Sequence, residues 1–203
     1  MENSTAKTGQ DRLGPILYTH GTKQNTKHIC ERGVSDNWTS ILWEEIDSIF
    51  VDATELIPYG EGITVRVVST KGDDISFTQE GFLKIRDEDK GDFFNLYEFI
   101  VSKVIDRQWS RLVRDIEEDK KVTFGPFSVF SSAICQEKFF GGYNSIGLNR
   151  ITGCHFDNGE LFIDFVDDKR RPKHKKLGLV SEIPNIHLVK ALASSMARKN
   201  SRQ

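Results

Sequence analysis

Cysteine is scarce in this sequence. Cys30, Cys135 and Cys154 are the only three among 203 residues, and no Cys-x-x-Cys pair occurs. An odd number at wide spacing excludes a disulfide framework and a structural zinc site as organising principles, and it suits a reducing cytoplasm. No apolar run approaches the roughly 20 residues that span a bilayer. Met1 to Gly14 is polar, without the apolar stretch of a secretory leader. An excess of one charge sign is also missing: Lys+Arg 28 against Asp+Glu 30 give a net charge of -2. Any attraction to nucleic acid or to an anionic membrane must therefore come from a local patch.

What is present is ordinary for a globular chain. The sequence is 37% hydrophobic and 29% charged, enough for one core or two modest ones. Short strand-like runs come first: Ile16-Leu17-Tyr18, Lys27 to Val34, and Trp38 to Val51 with a brief turn at Trp43-Glu44-Glu45-Ile46. Pro58, Gly60 and Gly62 punctuate a turn. Ile63 to Ser69 alternates apolar and polar residues, as a half-buried strand does, and Lys71-Gly72-Asp73-Asp74 reads as the hairpin leading to Ile75–Thr78.

The period then changes. Phe93, Leu96, Tyr97, Ile100, Val101, Val104, Ile105, Trp109, Leu112, Val113 and Ile116 recur at helical spacing without a proline or glycine between Asp92 and Asp119. This predicts one amphipathic helix over about 92–118, with Asp92 as its N-cap. Trp109 lies beyond what one small sheet can cover, which predicts that it packs between two units and that the helix is a joint as well as a cap. Strands return over Val122–Val129, Ala133–Phe140 and Ile146–Phe156. Asp157-Asn158-Gly159-Glu160 is a hairpin turn leading into Leu161–Val166, and Leu177–Val180 is the return strand. Ile186, Leu188, Val189, Leu192 and Met196 mark a closing helix over 185–199.

The order of elements occurs twice. Each half has short strands, a strand ending in two polar residues and isoleucine (Glu44-Glu45-Ile46, Asn149-Arg150-Ile151), a hairpin and an amphipathic helix. A duplicated unit of about 90 residues explains this better than one irregular domain. The predicted fold class is α+β, mostly β. The division is a flexible tail over 1–14, a first domain over 15–119, a second over 120–199, and a tail over 200–203. Trp43-Glu44-Glu45-Ile46, the Gly159-Glu160-Leu161-Phe162-Ile163 hairpin and Ile183-Pro184-Asn185 resemble an uncharacterised bacterial family of tandem pleckstrin-homology-like (PH-like) proteins. The resemblance covers about Gly14 to Lys199. It implies two units, each a bent antiparallel sheet or partial barrel capped by a C-terminal helix. It also implies binding of a phosphoinositide, a peptide or a protein, among which the fold alone does not choose.

The sharpest local chemistry is the cationic run Lys169, Arg170, Arg171, Lys173, His174, Lys175 and Lys176 around Pro172. It reads either as a solvated hairpin tip spanning Asp167 to Lys176 or as a hook for anionic lipid, nucleic acid or an acidic protein. It contains no interleaved aromatic residue, which argues against nucleic acid. Phe139, Phe140 and Tyr143, beside the glycine-rich 141–145 segment, read as core or as an exposed patch for a partner. No Gly-Lys-Ser/Thr follows Gly141-Gly142, so a phosphate loop is excluded. Cys154-His155 with Asp157 has metal-ligand types, but neighbours on a strand point to opposite faces. Cys135 sits in a predicted strand without an oxyanion-forming loop, which disfavours a nucleophile. Acids, bases and nucleophiles do not cluster, so no enzyme and no cofactor is predicted. The expectation is a cytoplasmic, non-enzymatic binding or scaffolding module with a protein partner. The alternative is anionic-membrane or phosphoinositide binding through 169–176, peripheral at the membrane. Exposed strand edges leave room for a homodimer.

Overall fold

The computed structural model describes residues 12–22, 25–56, 60–81, 87–137 and 142–202. Its compact units are Met1–Val104 and Ile105–Gln203. The division falls inside the long helix, not at the expected 119/120 boundary. The four sheets among the described residues are antiparallel meanders, and both units run four strands, a 3-10 turn, three strands and a helix, the second with a further 3-10 turn over Val180–Glu182 before its helix.

In the first unit, β1 (Ile16–Thr22), β2 (Asn25–Cys30), β3 (Gly33–Ser35) and β4 (Ser40–Leu42) form one sheet. A 3-10 turn over Trp43–Glu45 leads to β5 (Ile46–Leu56), β6 (Gly60–Ser69) and β7 (Asp74–Gly81), which form the second. Helix α1 (Asp87–Glu117) follows. It starts five residues before the expected cap at Asp92.

The strand alternation read at Ile63–Ser69 holds: Ile63, Val65 and Val67 are buried while Arg66 is exposed. These residues join Ile29, Val34, Ile41, Ile49, Ile75 and Phe77 in one core. Phe93, Leu96, Ile100 and Val104 of α1 belong to the same cluster. Their burial contributes roughly 6–10 kcal/mol of transfer free energy before entropy is subtracted. The Trp-Glu-Glu turn is pinned at both ends. Trp43 Nε1 donates to Glu31 O at 2.9 Å, and the Glu45 carboxylate accepts from Leu42 N–H at 3.1 Å and Lys71 Nζ at 2.7 Å. Those two hydrogen bonds hold the Glu45 carboxyl below its ordinary pKa. The expected tail over 1–14 is ordered at its end. Leu13 is buried, its carbonyl accepts from Arg32 N–H at 2.9 Å, and Arg12 pairs with Glu45.

In the second unit, β8 (Val122–Phe124), β9 (Phe127–Val129), β10 (Ala133–Glu137) and β11 (Tyr143–Gly147) form the first sheet. A 3-10 turn over Leu148–Arg150 replaces part of the single strand expected from Ile146 to Phe156. Then β12 (Ile151–Asp157), β13 (Glu160–Val166) and β14 (Pro172–Leu179) form the second sheet, and α2 (Ile186–Asn200) closes the chain against β12. Tyr143–Ser145 is strand paired with β10, not a glycine-rich loop. The Asn158-Gly159 turn is as read, with φ of 48° and 74°. The core gathers Phe127, Val129, Ile134, Ile151, Leu161, Ile163 and Leu177 with Leu188, Val189 and Leu192 of α2. Leu112 of α1 is buried there too, with Ile105, Trp109 and Ile116 packed at its margin. Gln136 Nε2 donates to Leu177 O at 3.0 Å and ties the two sheets together.

Asn200, expected to begin a tail, is held by the fold. Both N–H groups of the Asn200 side chain are spent on the 3-10 turn, on Leu148 O at 3.1 Å and Ile151 O at 2.8 Å. No helix among the described residues is long and apolar enough to cross a membrane.

Candidate binding groove of the second unit

The second unit carries a groove of about 700 Å³ between the end of α1, α2 and the 3-10 turn. Its shape follows from two helical stripes. On α1, Leu112 and the amide of Gln108 are buried, 3% and 7% exposed. Trp109, Val113 and Ile116 lie on the flank and remain half-buried. On α2, Leu192 faces the core, while Met196 and Lys199 follow at the next two turns along the groove. Leu148 supplies apolar floor, and Ser131, Ser132, Asn149 and Ser195 supply hydroxyls and an amide. This mixture, mostly apolar with a few polar groups, and this volume are those of ligand and peptide sites in general.

The rim has two charges, Glu117 from α1 and Lys199 from α2, both exposed. Neither makes an ion pair among the described residues. The floor is held rigidly. Leu148 N–H donates to Ser132 O at 2.8 Å, and Asn200 locks the Leu148 and Ile151 carbonyls. Ser131 Oγ donates to Asp119 Oδ1 at 2.5 Å, where Asp119 ends the helix with φ of 56°.

Next to α1 lies a buried polar relay. His187 Nε2 donates to Gln108 Oε1 at 2.8 Å, and Gln108 Nε2 donates to Asn185 Oδ1 at 3.3 Å. His187 Nδ1 is buried without a partner. Burial lowers the His187 pKa to about 4, so the ring is neutral at pH 7.

The basic run is divided by the strand that carries it. β14 begins at Pro172, so only Asp167–Arg171 is the tip and Lys173–Lys176 are strand residues. Strand geometry alternates faces. Lys173 and Lys175 pair with Phe165 and Ile163, and His174 and Lys176 with Asp164 and Phe162. Several cations are already committed. Asp167 accepts from Lys169 N–H, Arg171 N–H and Arg171 Nε at 2.9, 2.9 and 2.8 Å. Led by the hydrogen bonds from Arg171, this network lowers the Asp167 pKa to about 2. Lys176 Nζ pairs with Glu160. His174 lies edge-on to His155 and Phe162. Lys169, Arg170 and Lys173 are exposed and form no ion pair among the described residues.

The other expected sites disperse. Phe139 and Phe140 lie outside the described residues, and Tyr143 is 60% exposed at the start of β11. His155 bonds to Asp164, Nδ1 to Oδ1 at 2.9 Å, and its ring stacks on Phe162. Among the described residues no three His, Cys, Asp or Glu side chains form a metal-ligand set. Burial, with the Asp164 charge adding to it, raises the Cys154 pKa, which works against a thiolate. Trp38, read in sequence only as a strand former, is 94% exposed at the β3–β4 turn. Asp36 Oδ1 fixes that turn by accepting from Trp38 N–H at 2.8 Å and Thr39 N–H at 2.7 Å. The groove itself was missed. Its signal is an apolar stripe on α1 wider than one core face requires, Trp109 and Val113 beside Leu112. No protein-family model matches the sequence, and no curated protein matches it significantly.

Proposed function

We propose that this chain is a non-catalytic binding or scaffolding protein of two PH-like units, and that a protein partner docks in the groove of the second. Support for the PH-like assignment is the repeated plan of four strands, a 3-10 turn, three strands and a helix. The single observation that carries the docking is the groove of about 700 Å³, walled by Trp109, Val113 and Ile116 on α1 and by Leu192 and Met196 on α2. An apolar trough with a polar rim fits a peptide segment. The free cysteines favour a cytoplasmic location.

The experiment is peptide display against the full-length protein, with Met196→Glu as counter-target. The reading expects enriched peptides that bind the native protein and lose at least tenfold in affinity for the variant. Peptides that bind both equally, or no enrichment, would reject it.

A second reading is peripheral binding to anionic lipid through the turn after β13. It is favoured by exposed Lys169, Arg170 and Lys173 beside a turn that Asp167 fixes. It is weakened by Arg171 and Lys176, which already hold Asp167 and Glu160. Sedimentation with phosphatidylserine vesicles tests it. Binding should fall with salt and vanish in the Lys169→Glu, Arg170→Glu, Lys173→Glu variant. No sedimentation of the native protein removes this reading.

A further inference from the structure

Resting on the groove reading of the second unit, we infer that the docked segment is an amphipathic helix of the partner whose direction is set by opposite charges on the two rims. The walls are themselves helical stripes. Trp109, Val113 and Ile116 are spaced by four and three residues on α1, as are Leu192, Met196 and Lys199 on α2. Trp109 to Ile116 is seven residues, about 10 Å of helix, which matches two turns of an occupant. Two turns present apolar residues at i, i+3, i+4 and i+7, the row that fills a groove of this kind.

The rims then decide which way the helix lies. A helix with its apolar row against the floor has a left and a right flank, and reversing its direction exchanges them. Glu117 on the α1 rim attracts a cation, and Lys199 on the α2 rim attracts an anion. Both are exposed and unpaired among the described residues, so no internal ion pair must break first. An occupant with basic residues on the α1 flank and acidic residues on the α2 flank satisfies both rims in one direction only. Exposed ion pairs are individually weak, so the preference for matched flanks is roughly 3- to 10-fold in affinity.

The test is a displayed library of short helical peptides with apolar residues fixed at i, i+3, i+4 and i+7 and flanks varied among Glu, Lys and Ala. It is sorted on the full-length protein and on the Glu117→Lys variant, in which both rims are basic. The substitution is at an exposed position, and circular dichroism checks that the variant is folded. Winners on the native protein should carry acid on one flank and base on the other, and winners on the variant should carry acid on both. Each set should bind its own target 3- to 10-fold more tightly than the other. If apolar helices are enriched with no flank preference, or the same one on both targets, charge steering is wrong and the groove reading stands. If no helix is enriched on either target, both fall.

Discussion

His187 donates its Nε2 proton to Gln108 Oε1 at 2.8 Å while its Nδ1 stays buried and unpaired. A proton on Nδ1 would have no acceptor, so the folded state holds the ring neutral, and its pKa falls to about 4 from an ordinary 6.5. Below pH 6.5 the unfolded chain takes up this proton and the folded chain does not. Stability therefore falls as pH drops from about 6.5 to about 4 and levels off below that. The span is on the order of 3 kcal/mol. Denaturant midpoints between pH 7 and pH 4 should show the loss. His187→Gln, which can keep a bond to Gln108, should flatten the curve in that window. An unchanged slope in the variant would place the titration elsewhere.

Asn200 predicts a sharp boundary at the C-terminus. Removing residues 201–203 should leave the thermal midpoint within a degree or two. Removing Asn200 as well strands the Leu148 and Ile151 carbonyls, which it now satisfies at 3.1 and 2.8 Å. The second truncation should cost about 1–3 kcal/mol. Equal stability of the two would show that the amide closes nothing.

Gly125 predicts the cost of a single methyl group. It has φ of 59°, and a Cβ there would lie 2.1 Å from Glu182 O, a backbone atom that cannot step aside. Gly125→Ala should destabilise by more than about 2 kcal/mol. Gly159→Ala, with a similar φ of 74° but open space around it, should cost less. Chemical denaturation of the pair separates the clash from the strain common to both.

The two-fold order of elements, the Asn158-Gly159 hairpin and the core faces of Ile63–Val67 were legible because each rests on a local rule: period, turn chemistry or alternation. The 3-10 turn at Leu148–Arg150 was harder than the one at Trp43–Glu45, since it is held by contacts from elsewhere in the chain, with Ser132 and Asn200. The pairing within the basic run was hidden for a related reason. Its density along the sequence says nothing of Asp167 and Glu160, which reach it across a turn and across a strand pair. The groove was invisible because its walls, Trp109 to Ile116 and Leu192 to Lys199, lie some eighty residues apart in the chain.

The central claim is that the second unit's groove is where a partner binds. The most direct measurement is a methyl NMR titration of the full-length protein with a peptide selected on it. The account predicts that shifts concentrate on Val113, Ile116, Leu192 and Met196, while Val65, Val67 and Ile75 in the first core stay still. Shifts centred on the first unit, or on the methyls beside Lys169–Lys176, would contradict it.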